Sequence, residues 1–182
     1  MFRRMYMLAL LLALLLNVLP ASATPRSTLP PGFNIHRVLR RKGHVFWRGG
    51  TPRLDTLKAV LARARARGVT VTFIDLRHPA NADDRSGRGG RLTPHSEKRA
   101  SLEAGAHYLS ISALDHALIP DIDRALARGD VYIHCMYGVN RTGFAIGRFA
   151  VAEHLQVGRV GIGKRDYHEG VAFEKRLEGV HP

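Results

Sequence analysis

The stretch that most restricts the fold of this chain runs from Val131 to Leu155, where VYIHCMYGVNRTG leads into the apolar FAIGRFAVAEHL. Val131 to Cys135 is β-branched and aromatic with no turn residue, which suits a strand buried on both faces. Gly138 marks a loop, and from Thr142 to Leu155 apolar residues recur at helical spacing. A strand that turns straight into a helix is the repeating unit of a sheet with helices on its faces, so this stretch alone points to an α/β architecture.

The rest of the sequence alternates in the same way. A short strand is expected near Ile35 to Leu39 and another in HVFWRGG, His44 to Gly50. Thr51-Pro52 reads as an N-cap followed by proline at the first helical position, opening a helix that Leu54, Leu57, Leu61 and Ala64 carry to Arg67 and Gly68 ends. VTVTFIDL, Val69 to Leu76, reads as a buried strand. A long polar segment, Arg77 to Arg99, follows, and its length marks it as functional. A helix over Thr93 to Ala104, a strand at HYLSIS and a short helix over Pro120 to Arg128 complete the pattern. The expected product is a single α/β domain with a mostly parallel sheet of about four to five strands and helices on both faces.

The N-terminus has a different character. Arg3 and Arg4 precede an apolar run from Met5 to Leu19, then Pro20 and Ala21-Ser22-Ala23. The run is shorter than the roughly 20 residues of a spanning helix, and small residues follow it, so residues 1–23 read as a cleaved signal peptide. Residues 24–43 read as an extended lead-in and 44–182 as the functional domain. Export is the expected localisation, to the periplasm in a cell with two membranes, with membrane contact only through an uncleaved signal segment.

With 28 Lys+Arg against 15 Asp+Glu, the formal charge of +13 favours anionic partners. No nucleic-acid motif is recognisable, and the chain reads as exported, so nucleic acid is not expected. Cys135 is the only cysteine, which excludes an internal disulfide and a multi-cysteine zinc cluster and leaves reactivity as the role of that thiol. A loop wrapping from a strand into a helix N-terminus turns successive backbone N–H groups inward, a nest for an anion such as phosphate. Arg141 at its end is suited to bind two phosphate oxygens at once. Cys135 in the same positive field is expected as a thiolate at neutral pH, facing the anion as a nucleophile.

Strand, HCMYGVNRTG, helix resembles the active-site loop of the cysteine-dependent protein tyrosine phosphatases, in particular the compact dual-specificity branch. VFWRGGTPRLDTLKAVLARARARGVTVTFIDLR resembles the opening strand, helix and strand of small bacterial and atypical members. The resemblance implies a dual-specificity-phosphatase-like fold and phosphomonoester hydrolysis through a cysteinyl-phosphate. It implies that Arg141 and the amides of Met136, Tyr137, Gly138, Val139, Asn140 and Arg141 bind the phosphoryl oxygens, and that Thr142 hydrogen-bonds the departing thiolate. His134 would orient the loop and help to hold the thiolate. No metal or cofactor is implied.

A phosphomonoester also needs a proton for its leaving oxygen. Asp115, just after the strand HYLSIS, resembles the general acid of the family, although it lies only 20 residues before Cys135. Asp121 and Asp123 are alternatives. The resemblance implies that the loop carrying Arg85, Arg88 and Arg91 lies near the rim of the site, where they would favour anionic substrates, while Arg63, Arg65 and Arg67 do not form one helical stripe and read as solvated. GRVGIGKR, Gly158 to Arg165, matches a nucleotide-binding loop only in spacing, since Arg165 stands where a Ser or Thr is required.

Met136, Tyr137, Val139 and Asn140 are uncharged, which favours phosphotyrosine or phosphoserine/threonine over inositol polyphosphates or phosphoinositides. The expected partner is a phosphorylated protein or small phosphomonoester, acted on by a monomer. A phospho-ligand-binding module of weak activity is the alternative if Asp115 is misplaced.

Overall fold

The computed structural model describes residues 35–78, 81–155, 164–177 and 179, so the expectations for residues 1–23 and for most of GRVGIGKR fall outside the described residues. Its strands are β1 (His36–Arg41), β2 (His44–Gly50), β3 (Thr70–Asp75), β4 (His107–Ser110) and β5 (Gly129–Cys135). They form one sheet in the order β1-β2-β5-β3-β4. β1 pairs antiparallel with β2, and the other three pairings are parallel, with Gly50 of β2 opposite Cys135 of β5 and Asp75 of β3 opposite His134. All seven residues of β5, Asp130 and His134 included, are buried, as its central place in the sheet requires.

The helices are α1 (Leu54–Arg65), α2 (Ala82–Arg85), α3 (Pro94–Glu103), α4 (Leu118–Arg128), α5 (Asn140–Ala152) and α6 (Lys164–Leu177), with a 3-10 turn at Arg88–Gly90. One face of the sheet packs Val71, Phe73 and Tyr132 against Leu57, Val60 and Leu61 of α1, with Ala100 of α3 at the edge. The other packs Phe46, Ile74 and Ile133 against Leu118 and Ile122 of α4 and Ile146 and Phe149 of α5. Each such side chain removed from water contributes about 2 kcal/mol before conformational entropy is counted. The α/β domain with helices on both faces is therefore the one expected.

Three local readings change. Thr51 is not the cap of α1, which begins at Leu54 with Arg53 at the N-cap; Thr51 is fully buried and turned toward the end of β5. α6 had no counterpart in the sequence reading, although Tyr167, Val171 and Glu174 recur at helical spacing and Tyr167 packs against the core. Arg63, Arg65 and Arg67 are not simply solvated. Arg63 lies over the Trp47 ring at 5.1 Å, Arg65 donates to the Ala104 carbonyl at 2.6 Å, and Arg67 grips the buried Asp130 carboxylate at 2.6 and 3.0 Å.

Candidate active site

The parallel strands β2, β3 and β5 end on one side of the sheet, where the loop from Met136 to Val139 carries the chain into α5. The loop is seated on the end of β2. Thr51 donates its amide to the Met136 carbonyl and its hydroxyl to the Cys135 carbonyl, each at 3.1 Å. The Tyr132 hydroxyl holds the Gly50 carbonyl at 2.9 Å from below. Gly138 has φ +71°, and a Cβ there would collide with the backbone of Gly49 and Gly50, so the loop lies directly on β2.

Cys135 is buried beneath this loop. Burial alone raises its pKa, but hydrogen bonds from the Thr142 hydroxyl and the amides of Thr142 and Gly138, with the charge of Arg141, outweigh it and hold the thiol below its ordinary value. The helix N-terminus at Asn140 adds its dipole to the same field. The thiol, the amides of Gly138 and Thr142, the Thr142 hydroxyl and the charge of Arg141 thus meet at the end of β5.

Arg141 meets a partner that the sequence reading did not contain. Its Nη1 and Nη2 donate to the two carboxylate oxygens of Asp84 at 2.6 and 2.7 Å, and Nη1 also donates to the Leu76 carbonyl at 3.1 Å. Asp84 is fully buried, and the His78 amide donates to it at 2.9 Å. Burial raises the Asp84 pKa, but these bonds and the neighbouring guanidinium carry it below the usual carboxylate value. Asp84 sits on α2, within the segment read only as a long polar loop.

His134 points to the opposite face of the sheet from Cys135. Its Nε2 bonds Glu97 of α3 at 2.8 Å, while Nδ1 lies 3.4 Å from the Cys135 carbonyl and 3.9 Å from Asp75. Its contact with the loop is therefore through the Cys135 backbone. Arg77 closes the cluster, donating to both oxygens of Asp75 at 2.6 to 3.0 Å and to Glu97 at 2.6 Å, and Tyr108 donates to Asp75 at 2.5 Å. Burial lowers the His134 pKa, yet Glu97 and Asp75 overcome it and keep the imidazole protonated above its ordinary value. The ligand atoms of Asp75, Glu97 and His134 lie within 4.8 Å of one another, but Arg77 donates to both carboxylates, making a closed ion network.

A cavity of about 400 Å³ opens beside Arg141 and is walled mainly by apolar groups of Leu76, Ile111, Ala113 and Leu114, with His78 at its border. Asp115 follows directly on this wall. Its carboxylate, however, accepts the Ala117 amide at 2.8 Å, is exposed, and does not line the cavity. Asp123 is paired with Arg41 at 3.1 Å and Asp121 with Arg124, so neither faces the site. At the rim, Arg91 lies over the ring of the exposed Tyr137 at 4.8 Å and reaches Met136 Sδ at 3.9 Å. Arg85 is exposed and makes no part of this wall.

No protein-family model matches the chain, and no curated protein matches it. Solved structures do match in fold. The structure of P. aeruginosa TpbA is 18% identical, covering 84% of this chain and 91% of its own, with a TM-score of 0.52. A second TpbA structure, in complex with pTyr, is 17% identical over 87% of this chain and 96% of its own at a TM-score of 0.52. PTPMT1 in complex with PI(5)P is 14% identical over 80% and 97% at 0.51, and the Trypanosoma cruzi protein tyrosine phosphatase TcPTP1 is 13% identical over 87% and 77% at 0.53. The chain has the fold of the cysteine-dependent phosphatases.

Proposed function

We propose that this chain hydrolyses phosphomonoesters through a cysteinyl-phosphate at Cys135. The observation that carries the reading is the thiol itself, buried under inward-facing amides, bonded by Thr142 and held below its ordinary pKa at the mouth of a helix. The thiolate attacks phosphorus and the ester oxygen leaves with a proton. Water then attacks the cysteinyl-phosphate, releasing phosphate and the thiolate that Thr142 receives. The loop amides and Arg141 take the charge of the equatorial oxygens throughout.

Phosphotyrosine in protein is the substrate class we favour, with phosphoserine/threonine as a second specificity. TpbA has been solved with pTyr and PTPMT1 with PI(5)P, so related folds receive both kinds of phosphate. Here the exposed positions of the loop carry no lysine, and the cavity beside Arg141 is walled by Leu76, Ile111, Ala113 and Leu114, which suits an aromatic ring better than a polyphosphorylated inositol. Asp115 is our choice of general acid because its turn adjoins that wall. The Arg-flanked apolar segment at the N-terminus supports export, and we place the activity in the periplasm of a cell with two membranes.

The test is turnover of p-nitrophenyl phosphate and of a phosphotyrosine peptide with EDTA present. Wild-type activity on both, abolished in Cys135→Ser, is expected. Phosphate binding without turnover favours the binding-module reading, for which the outward-turned Asp115 carboxylate is the supporting observation.

A further inference from the structure

Arg48 is among the largest fully buried side chains of the domain, and no ion pair joins it to a carboxylate among the described residues. It stands on β2 between His36 of β1 and Ile133 of β5, on the face that carries Phe46 and Cys135. Among the described residues its hydrogen bond runs from Nη1 to the Gly138 carbonyl at 2.7 Å, and Nε and Nη2 are buried with no partner there. A buried guanidinium with two nitrogens left unmet is destabilising unless negative charge lies near. The arginine thus stands where the fold alone gives no reason for it: a leucine or methionine would fill the same space beside Phe46 and Ile133 at lower cost.

The loop above explains it. The Gly138 carbonyl shares a trans peptide with the Val139 N–H, which points the opposite way, so Arg48, by donating to that carbonyl, fixes the plane of the Gly138–Val139 peptide at the centre of the loop. Arg48 stands opposite Ile133 on the adjacent strand, two residues before Cys135 and on the same face, so its charge acts on the thiolate through the low-dielectric core. We propose that Arg48 is a positioning residue of the phosphate loop, holding the Gly138–Val139 peptide with its carbonyl turned down to the sheet and its N–H turned away from it, and serving as the buried counter-charge of the Cys135 thiolate. The inference rests on the phosphatase reading for the use made of the thiolate, but not for the existence of the pairing.

The charged and titratable groups around this pair are few. From α5, Arg141 faces Cys135; from β5, Tyr132 lies on the opposite face of the sheet with its hydroxyl on the Gly50 carbonyl; from β1, His36 faces Arg48, and burial together with that guanidinium lowers the His36 pKa. Burial lowers Arg48 itself to about 10, so it stays charged across the neutral range. The Arg141 side chain is one-third exposed and shared with Asp84, whereas Arg48 is fully buried and has no carboxylate partner among the described residues.

The single cysteine makes the test direct: the pH dependence of iodoacetamide alkylation reports Cys135 and nothing else. Arg48→Met and Arg48→Gln are compared with Arg48→Lys, which keeps the charge, and with Phe46→Leu, which disturbs the same core without touching charge. We expect the neutral variants to raise the alkylation midpoint by about one pH unit, slowing the reaction about tenfold at pH values well below the wild-type midpoint. Arg48→Lys and Phe46→Leu should keep the wild-type midpoint. A folded neutral variant with the wild-type midpoint overturns the proposal, as does an Arg48→Lys midpoint displaced as far as the neutral ones. If the neutral variants do not fold, Arg48→Lys decides alone, and a displacement of about one unit overturns the proposal. Alkylation needs no turnover, so a wild-type thiol that reacts at low pH in a protein that hydrolyses nothing overturns the phosphatase reading while leaving the Arg48 pairing intact.

Discussion

Asp84 holds Arg141 end-on, each carboxylate oxygen accepting one terminal N–H of the guanidinium. Leu76 takes a third N–H through its carbonyl. A guanidinium has five, and the two that remain, on Nε and Nη2, lie along one edge as a fork for two phosphate oxygens. Asp84 therefore braces Arg141 with its binding edge free.

Asp84→Asn removes one charged acceptor and leaves the guanidinium less firmly placed. Inorganic phosphate is expected to compete roughly tenfold more weakly, equivalent to about 1.4 kcal/mol, with KM raised more than kcat is lowered. Inhibition constants for phosphate, measured for both proteins at one ionic strength, check this. Unchanged or tighter inhibition would mean that Asp84 withholds Arg141 from the anion.

Gly138→Ala brings together two costs, a side chain at φ +71° and a Cβ driven into the backbone of Gly49 and Gly50. The loop has to lift from β2, so the amide nest opens and Arg48 loses the Gly138 carbonyl. We expect activity to fall by at least about a hundredfold and stability by roughly 1–3 kcal/mol. Denaturation and p-nitrophenyl phosphate turnover read the two effects separately.

Legibility in the sequence followed the range of the interaction. HCMYGVNRTG declared itself because thiol, glycine, arginine and threonine act on one another within ten residues, between a strand and a helix that patterning also marks. Asp84, Glu97 and Arg48 were not legible, since each acquires its meaning from a partner 37 to 90 residues away. One local signal was present for the buried cluster. Asp75 stands in a strand otherwise fit for complete burial, and a buried carboxylate requires a cation, which Arg77 two residues on supplies. Thr51 misled for the opposite reason: Thr-Pro is a common helix start, but the tertiary bond to Cys135 claims the hydroxyl.

His134 is protonated in the folded protein above its ordinary pKa, so its contribution to stability is complete below the unfolded value, near 6.5, and is lost as pH rises through the higher folded one. Thiolate formation at Cys135 runs the other way, since its folded pKa is depressed and its contribution is lost on acidification. A Cys135→Ser background separates them. In that background the thermal midpoint should decline from about pH 6.5 upward. Adding Glu97→Gln should lower stability by roughly 3–5 kcal/mol, because a buried charge loses its partner, and should flatten the alkaline decline. A decline of unchanged size would place its origin outside this pair.

The last prediction concerns proton delivery. Arg148 of α5 is buried and fixed by Glu174 of α6 at 2.6 Å, and its Nη1 donates to the carbonyls of both Ala113 and Asp115 at 2.7 Å. The turn that carries Asp115 is thus anchored by its backbone while its carboxylate is held only by the neighbouring Ala117 amide, a bond exposed to water. Such a bond is worth about 1 kcal/mol, so turning the carboxylate toward the cavity while Arg148 keeps the turn in place is a small expense beside the barrier of the chemistry. If Asp115 protonates the leaving oxygen, its loss should matter in proportion to how badly that oxygen needs the proton. Asp115→Asn should therefore slow a phosphotyrosine peptide by about a hundredfold or more, slow p-nitrophenyl phosphate much less, and remove the alkaline limb of the kcat profile for the peptide. Equal losses on both substrates would assign Asp115 to the structure of the turn and move the search for the acid to His78, which already borders the cavity.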